Sequence, residues 1–161
     1  SVLLGMPFVI SQRFESNSRK GVVPLAMNKS PAIVMTRLDV QRLEKVLDNM
    51  QAPLDLLEAL EDEVLRARVV SHKRIASDVV TMNSTVRFID EASEREFVLT
   101  LVYPEQAGRP GTISILAPVG IALLGLKVGQ SINWQGPQGR PLKLKIMDIV
   151  YQPEASGDFH L

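Results

Sequence analysis

The stretch GIALLGLK, residues 120–127, decides between two folds. Gly120, Gly125 and Lys127 nearly trace the phosphate-cradling loop G-x-x-x-x-G-K-[ST]. Such a loop would call for a buried parallel strand before it and an α/β fold around it. A cradle needs small residues between its glycines, so that successive N–H groups can turn inward on phosphate. Here the residues between are Ile121, Ala122, Leu123 and Leu124, which are bulky and apolar. Lys127 is one position late, Val128 stands where a Ser or Thr would hold magnesium, and Pro118 interrupts any strand leading in. Proline does suit the first turn of a helix. The stretch therefore reads as a short core helix, packed through Val119, Ala122 and Leu123 and ended by Gly125.

The surroundings agree with that reading. From Asp78 onward, VVTMNSTVRFID, EFVLTLVYP, SINWQ and LKLKIMDIVYQP are rich in β-branched and aromatic residues. The turns AGRPG, KVGQ and QGPQG separate them. Leu142, Leu144 and Ile146 alternate with Lys143 and Lys145, which predicts a half-solvated antiparallel strand. The alternation slips near Met147, where a bulge is expected. Four to five strands with one short helix make an α+β module.

Upstream the period is helical. Thr36 is the expected N-cap of a helix over 36–50, with Asp39 completing a capping-box-like start. Val40, Leu43, Leu47 and Met50 form one stripe. After NMQAPL, Asp55 is expected to cap a second helix reaching about Val70, with Leu57, Leu60, Val64 and Ala67 as its stripe. Two such helices joined by a short loop make an antiparallel hairpin with arms of about 22 Å. A hairpin of that size cannot bury its seam alone. The expected organisation is an extension over 1–26, with Met27 as the natural start, a hairpin over 27–72 and a C-terminal domain over 73–161.

Composition narrows the function classes. The 161 residues carry 18 basic and 18 acidic side chains, so no global field points to DNA or an anionic membrane. The hairpin region 36–70 is locally acidic, with five basic and eight acidic side chains. The absence of cysteine excludes disulfides and thiolate chemistry and fits a cytoplasmic setting. With only His72 and His160, a histidine metal site is not expected. SVLLGMPFVI lacks a basic leader, and no apolar run approaches the ~18 residues of a membrane span.

No catalytic constellation emerges. His72 reads as a solvated linker residue, and Glu154, Asp148 and Asp158 read as scattered exposed acids. Glu58, Glu61, Asp62 and Glu63 read as a solvated helix face. Tyr103, Trp134 and Tyr151 read as core rather than as an aromatic pocket. The residues alone reach a binding or regulatory protein.

The segments DVVTMNSTVRF (78–88), TLVYP (100–104), APVGIALLGLKVGQSINW (117–134) and YQPEASGDF (151–159) closely resemble the Rnk family, the regulators of nucleoside diphosphate kinase. That family is related to the transcript-cleavage factors GreA and GreB. The likeness covers about residues 30–161 and leaves 1–26 outside. It implies a coiled-coil hairpin followed by an FKBP-like domain, and a monomer that binds bacterial RNA polymerase near its secondary channel. No membrane, cofactor, metal or sequence-specific nucleic acid is implied. Gre factors carry acids at the tip of an arm about twice as long, and those acids hold a catalytic magnesium. The tip residues here are Asp48, Asn49, Met50, Gln51 and Asp55, and a short arm leaves Asp48 and Asp55 far from that ion. The resemblance therefore implies a non-enzymatic regulator that competes with Gre factors without stimulating cleavage and that affects nucleoside diphosphate kinase levels. Two alternatives stand beside it: a Gre-type cleavage factor, and a prolyl isomerase-like FKBP domain. A Ser-Pro at the start of the short helix helps Gre factors grip the polymerase. The matching residues are Ala117 and Pro118, with the serine lost, and two Gre basic positions become Ile121 and Leu126.

Overall fold

The computed structural model describes residues 31–135 and 141–159. The expected extension over 1–26, the start at Met27, His160 and most of the QGPQG turn lie outside the described residues. Residues 31–161 form one compact unit.

The chain enters through β1 (Val34–Thr36) and passes into α1 (Arg37–Asn49). Thr36 is the N-cap, and its hydroxyl accepts the Asp39 N–H at 3.0 Å. Only that half of the expected box forms, because the Asp39 carboxylate is engaged elsewhere. α2 spans Leu54–Arg66. Two expectations about it need correction. Its N-cap is Pro53, so Asp55 falls in the first turn, with its carboxylate on the Leu56 N–H at 3.0 Å. The helix also stops at Arg66 rather than near Val70. Ala67 is already extended, and Arg68–Val70 form β2, which pairs parallel to β1 with Val34 opposite Arg68 and Thr36 opposite Val70. Arg68 N–H reaches the Ile33 carbonyl at 3.0 Å. The β-branched pair Val69-Val70 favours a strand once a partner exists, and only the tertiary structure supplies β1.

A five-stranded sheet follows, built from β3 (Thr85–Asp90), β4 (Arg95–Val102), β5 (Thr112–Ser114), β6 (Ser131–Gln135) and β7 (Pro141–Tyr151). Its spatial order is β5-β4-β3-β7-β6, antiparallel except for the β4–β5 pair. β7 is the antiparallel strand its alternation predicts, and Leu144 and Ile146 are buried. Its register against β3 skips a residue at Met147, as the slip in the pattern indicates, and skips again at Val150. Both residues at the skips point to solvent.

The short helix α3 runs over Pro118–Leu123, with Pro118 in its first turn. Ile121, Ala122, Leu123 and Leu124 are buried. The two glycines that imitate a phosphate loop are packing requirements. A β-carbon on Gly120 would sit 2.1 Å from the Ser114 carbonyl oxygen, so only hydrogen fits where α3 crosses β5. Gly125 has φ +84°, and a β-carbon there would lie 2.7 Å from that of Ile33. Its N–H donates to the Val80 carbonyl at 2.9 Å. Leu43 of α1 and Leu60 of α2 join the same buried cluster as Val86 and Leu101 of the sheet and Ile121 and Leu123 of α3. The hairpin thus buries its seam against the sheet module.

Candidate functional site

The hairpin tip is the loop 50–53 with the helix ends beside it. Asp48, Asn49, Met50, Gln51 and Asp55 are all exposed there. Ala117 is the N-cap of α3 without a side-chain cap bond, and Ala117 and Pro118 are half-buried. Ile121 and Leu126 are completely buried, so these two positions offer a partner no surface.

The segment Thr81–Ser84 carries signals that sequence reading did not interpret. Thr81 and Ser84 close a buried turn: Thr81 N–H donates to Ser84 Oγ at 3.0 Å, and the two hydroxyls lie 2.8 Å apart. Asn83 takes a left-handed conformation, φ +67°, which asparagine tolerates better than most residues. Its N–H donates to the Leu101 carbonyl at 2.6 Å. This turn and the residues just before it hold the C-terminal tail and α1. Thr81 Oγ1 donates to Glu154 Oε1 at 2.7 Å. Gln152, almost fully buried, donates through Nε2 to the carbonyls of Ala76 and Val79 at 2.8 and 2.7 Å. Met82 N–H donates to Asp39 Oδ2 at 3.1 Å. The YQPEASGDF segment thus meets TMNS through the Thr81–Glu154 bond and meets the residues just before TMNS through Gln152.

Asp39 joins the hairpin to the module. Its Oδ1 also accepts the Tyr103 hydroxyl at 3.4 Å. Burial pushes its pKa up from 3.8 to about 7; the Met82 N–H and Arg42 oppose the rise, and Glu154 adds to it. The Tyr103 hydroxyl is likewise pushed up, by burial first and by Asp39 next.

Several sequence expectations shift here. Glu63 does not belong to a solvated face: it is buried and receives Arg66 Nε at 3.2 Å on both oxygens. Arg66 then reaches the Pro31 carbonyl at 3.1 Å. On the same helix Asp62 is raised by partial burial and by Glu63, Glu58 and Glu61. Glu154 and Asp158 are not idle exposed acids, since Glu154 holds Thr81 and Asp158 holds the Tyr151 hydroxyl. His72 packs edge-on against Phe159, with ring centroids 5.0 Å apart, rather than lying in solvent alone. Tyr103 is not simply core: it lines a cleft of about 460 Å³ between α1 and the module, with Asn49 and Met50 of the tip on the opposite wall.

Residues 75–151 match the family described as transcription elongation factor, GreA/GreB, C-terminal, and residues 31–70 match the one described as Rnk N-terminus. The regulator of nucleoside diphosphate kinase of Escherichia coli (strain K12) is 42% identical over 133 residues, covering 81% of this chain and 98% of that protein. The chain belongs to the Rnk family. A GreA/GreB elongation factor structure from Nitrosomonas europaea shares 47% identity, covers 76% of this chain and all of that one, and superposes with a TM-score of 0.60. GreA of Rhodospirillum rubrum is 37% identical over 84 residues, about half of each chain. The Rnk regulators thus share with GreA and GreB the sheet module, while the hairpin carries the Rnk-specific match.

Proposed function

We propose that this Rnk protein binds bacterial RNA polymerase near its secondary channel, competes there with the longer Gre factors and does not itself stimulate transcript cleavage. The length of the hairpin carries this reading. Each helix has 13 residues, about 20 Å at 1.5 Å per residue, and much of the seam is spent on the sheet module. Magnesium accepts oxygen ligands at about 2.1 Å, so an acid that stops a helix turn short contributes nothing to the metal. Asp48 and Asp55 stand at the tip of this short arm. The Gre-like module supports binding, with Ala117 and Pro118 at the start of α3 as the contact and the tip 48–55 directed toward the channel. An effect on nucleoside diphosphate kinase levels belongs to the same reading.

The test uses backtracked elongation complexes. Addition of the protein alone should leave the RNA uncleaved, and a molar excess should slow cleavage by an added Gre factor. Robust cleavage by the protein alone would refute the reading.

A further inference from the structure

We propose that the cleft between α1 and the sheet module is a binding site for a nucleoside phosphate. Its volume of about 460 Å³ lies within the range of small-ligand sites. One wall belongs to α1 and presents Arg42, Lys45 and Asn49, which lie on one helix face. The other presents Asn83, Tyr103, Glu105 and Gln106.

The two walls differ in chemistry. Arg42 and Lys45 are two of only five basic residues in the acidic region 36–70, and both face the cleft. They suit an anionic group of the phosphate type. The module wall holds one carboxylate and two amides, which would repel or merely tolerate a lone anion. Amides and a carboxylate do match the donors and acceptors of a base edge and ribose hydroxyls. Val46, Met50 and the Tyr103 ring supply the apolar surface such a ring needs. Arg42 to Asn49 spans about 10 Å of helix, which suits a two-ended ligand better than a single ion.

Three of the polar groups are also available, whereas Arg42, Asn49 and Tyr103 already have partners within the protein. Among the described residues the Lys45 ammonium and the side-chain amides of Asn83 and Gln106 have no hydrogen-bond or ion-pair partner. Asn83 is half-buried and held in its left-handed conformation, so its amide is presented on a fixed backbone. Tyr103 connects the cleft to Asp39 through its hydroxyl. A ligand touching both walls therefore ties the hairpin to the module.

The experiment is titration calorimetry on the full chain with ADP, adenosine and pyrophosphate as probes. ADP should bind saturably below about 1 mM, with adenosine and pyrophosphate each at least about tenfold weaker. Lys45→Gln removes an exposed charge, and Asn83→Gly removes the amide while keeping the left-handed backbone. Each should weaken ADP about 3–10-fold and leave the melting temperature of the unliganded protein within about 2 °C. No saturable ADP binding would overturn the proposal. So would pyrophosphate binding as tightly as ADP, or ADP binding unchanged in both variants.

Discussion

Asp39 on α1 accepts the backbone N–H of Met82 at 3.1 Å while almost completely buried. This bond joins the hairpin to the turn that precedes the sheet. A carboxylate held at about 7 in the fold and 3.8 outside it binds its proton more tightly when folded. Its contribution is therefore fully present below about pH 4 and is lost as pH rises through about 7. Asp39→Asn keeps the shape and removes the charge. Urea unfolding at pH 5 and pH 8 should show the wild type weaker at pH 8 by up to a few kcal/mol, with the variant losing less than half as much. Equal pH slopes in the two proteins would contradict this account.

Gly120→Ala places a methyl 2.1 Å from the Ser114 carbonyl oxygen and 3.2 Å from Leu101 Cδ1. The shorter clash is with backbone, which cannot rotate away as a side chain can. A loss of at least about 3 kcal/mol is expected, read as a large drop in melting temperature. Gly108→Ala is the contrast: the positive φ of +97° costs about 1 kcal/mol, but no atom lies within 4 Å of the new methyl.

Leu60 on α2 is fully buried in the cluster shared by hairpin and sheet. Leu60→Ala should cost about 2–5 kcal/mol. Because that core is common, the loss should appear as one cooperative transition by both far-ultraviolet circular dichroism and Trp134 fluorescence. Separate transitions would mean that the hairpin melts independently.

Pro118 is half-buried at the first turn of α3, where its missing N–H costs nothing. Pro118→Ala should weaken binding to RNA polymerase several-fold while moving stability by less than about 1 kcal/mol. Surface-immobilised polymerase with both proteins in parallel measures this; unchanged affinity removes Pro118 from the interface.

Thr36 caps α1 through its hydroxyl at 3.0 Å from the Asp39 N–H. Thr36→Ala should cost about 1–2 kcal/mol, at the upper end because the cap is buried. A chemical denaturation midpoint unchanged from wild type would show that the cap is replaced by water.

Local rules made much of this protein legible. The bulky interior of GIALLGLK excluded a phosphate loop, because Ile121, Leu123 and Leu124 have a strong preference for burial wherever the chain places them. The period-2 run ending in DIVY identified β7 and its slip at Met147. Thr36 marked the start of α1, since a cap bonds within three residues. Such features depend on neighbours in sequence, and sequence alone determined them.

Contacts distant in sequence decided the rest. Val69 and Val70 leave the helix because β1, more than 30 residues earlier, offers its edge. Glu63 is buried and bound by Arg66, which also reaches the Pro31 carbonyl, although Glu61 and Asp62 beside it are exposed. Asp39 looks like half of a capping box until Met82, 43 residues away, presents an N–H to it. A buried polar group must find a partner, and the partner is supplied by whatever the fold brings near. The cleft has the same origin. Arg42 and Lys45 are ordinary helix-surface cations in the sequence, and only the packing of α1 across the module sets them opposite Asn83 and Tyr103.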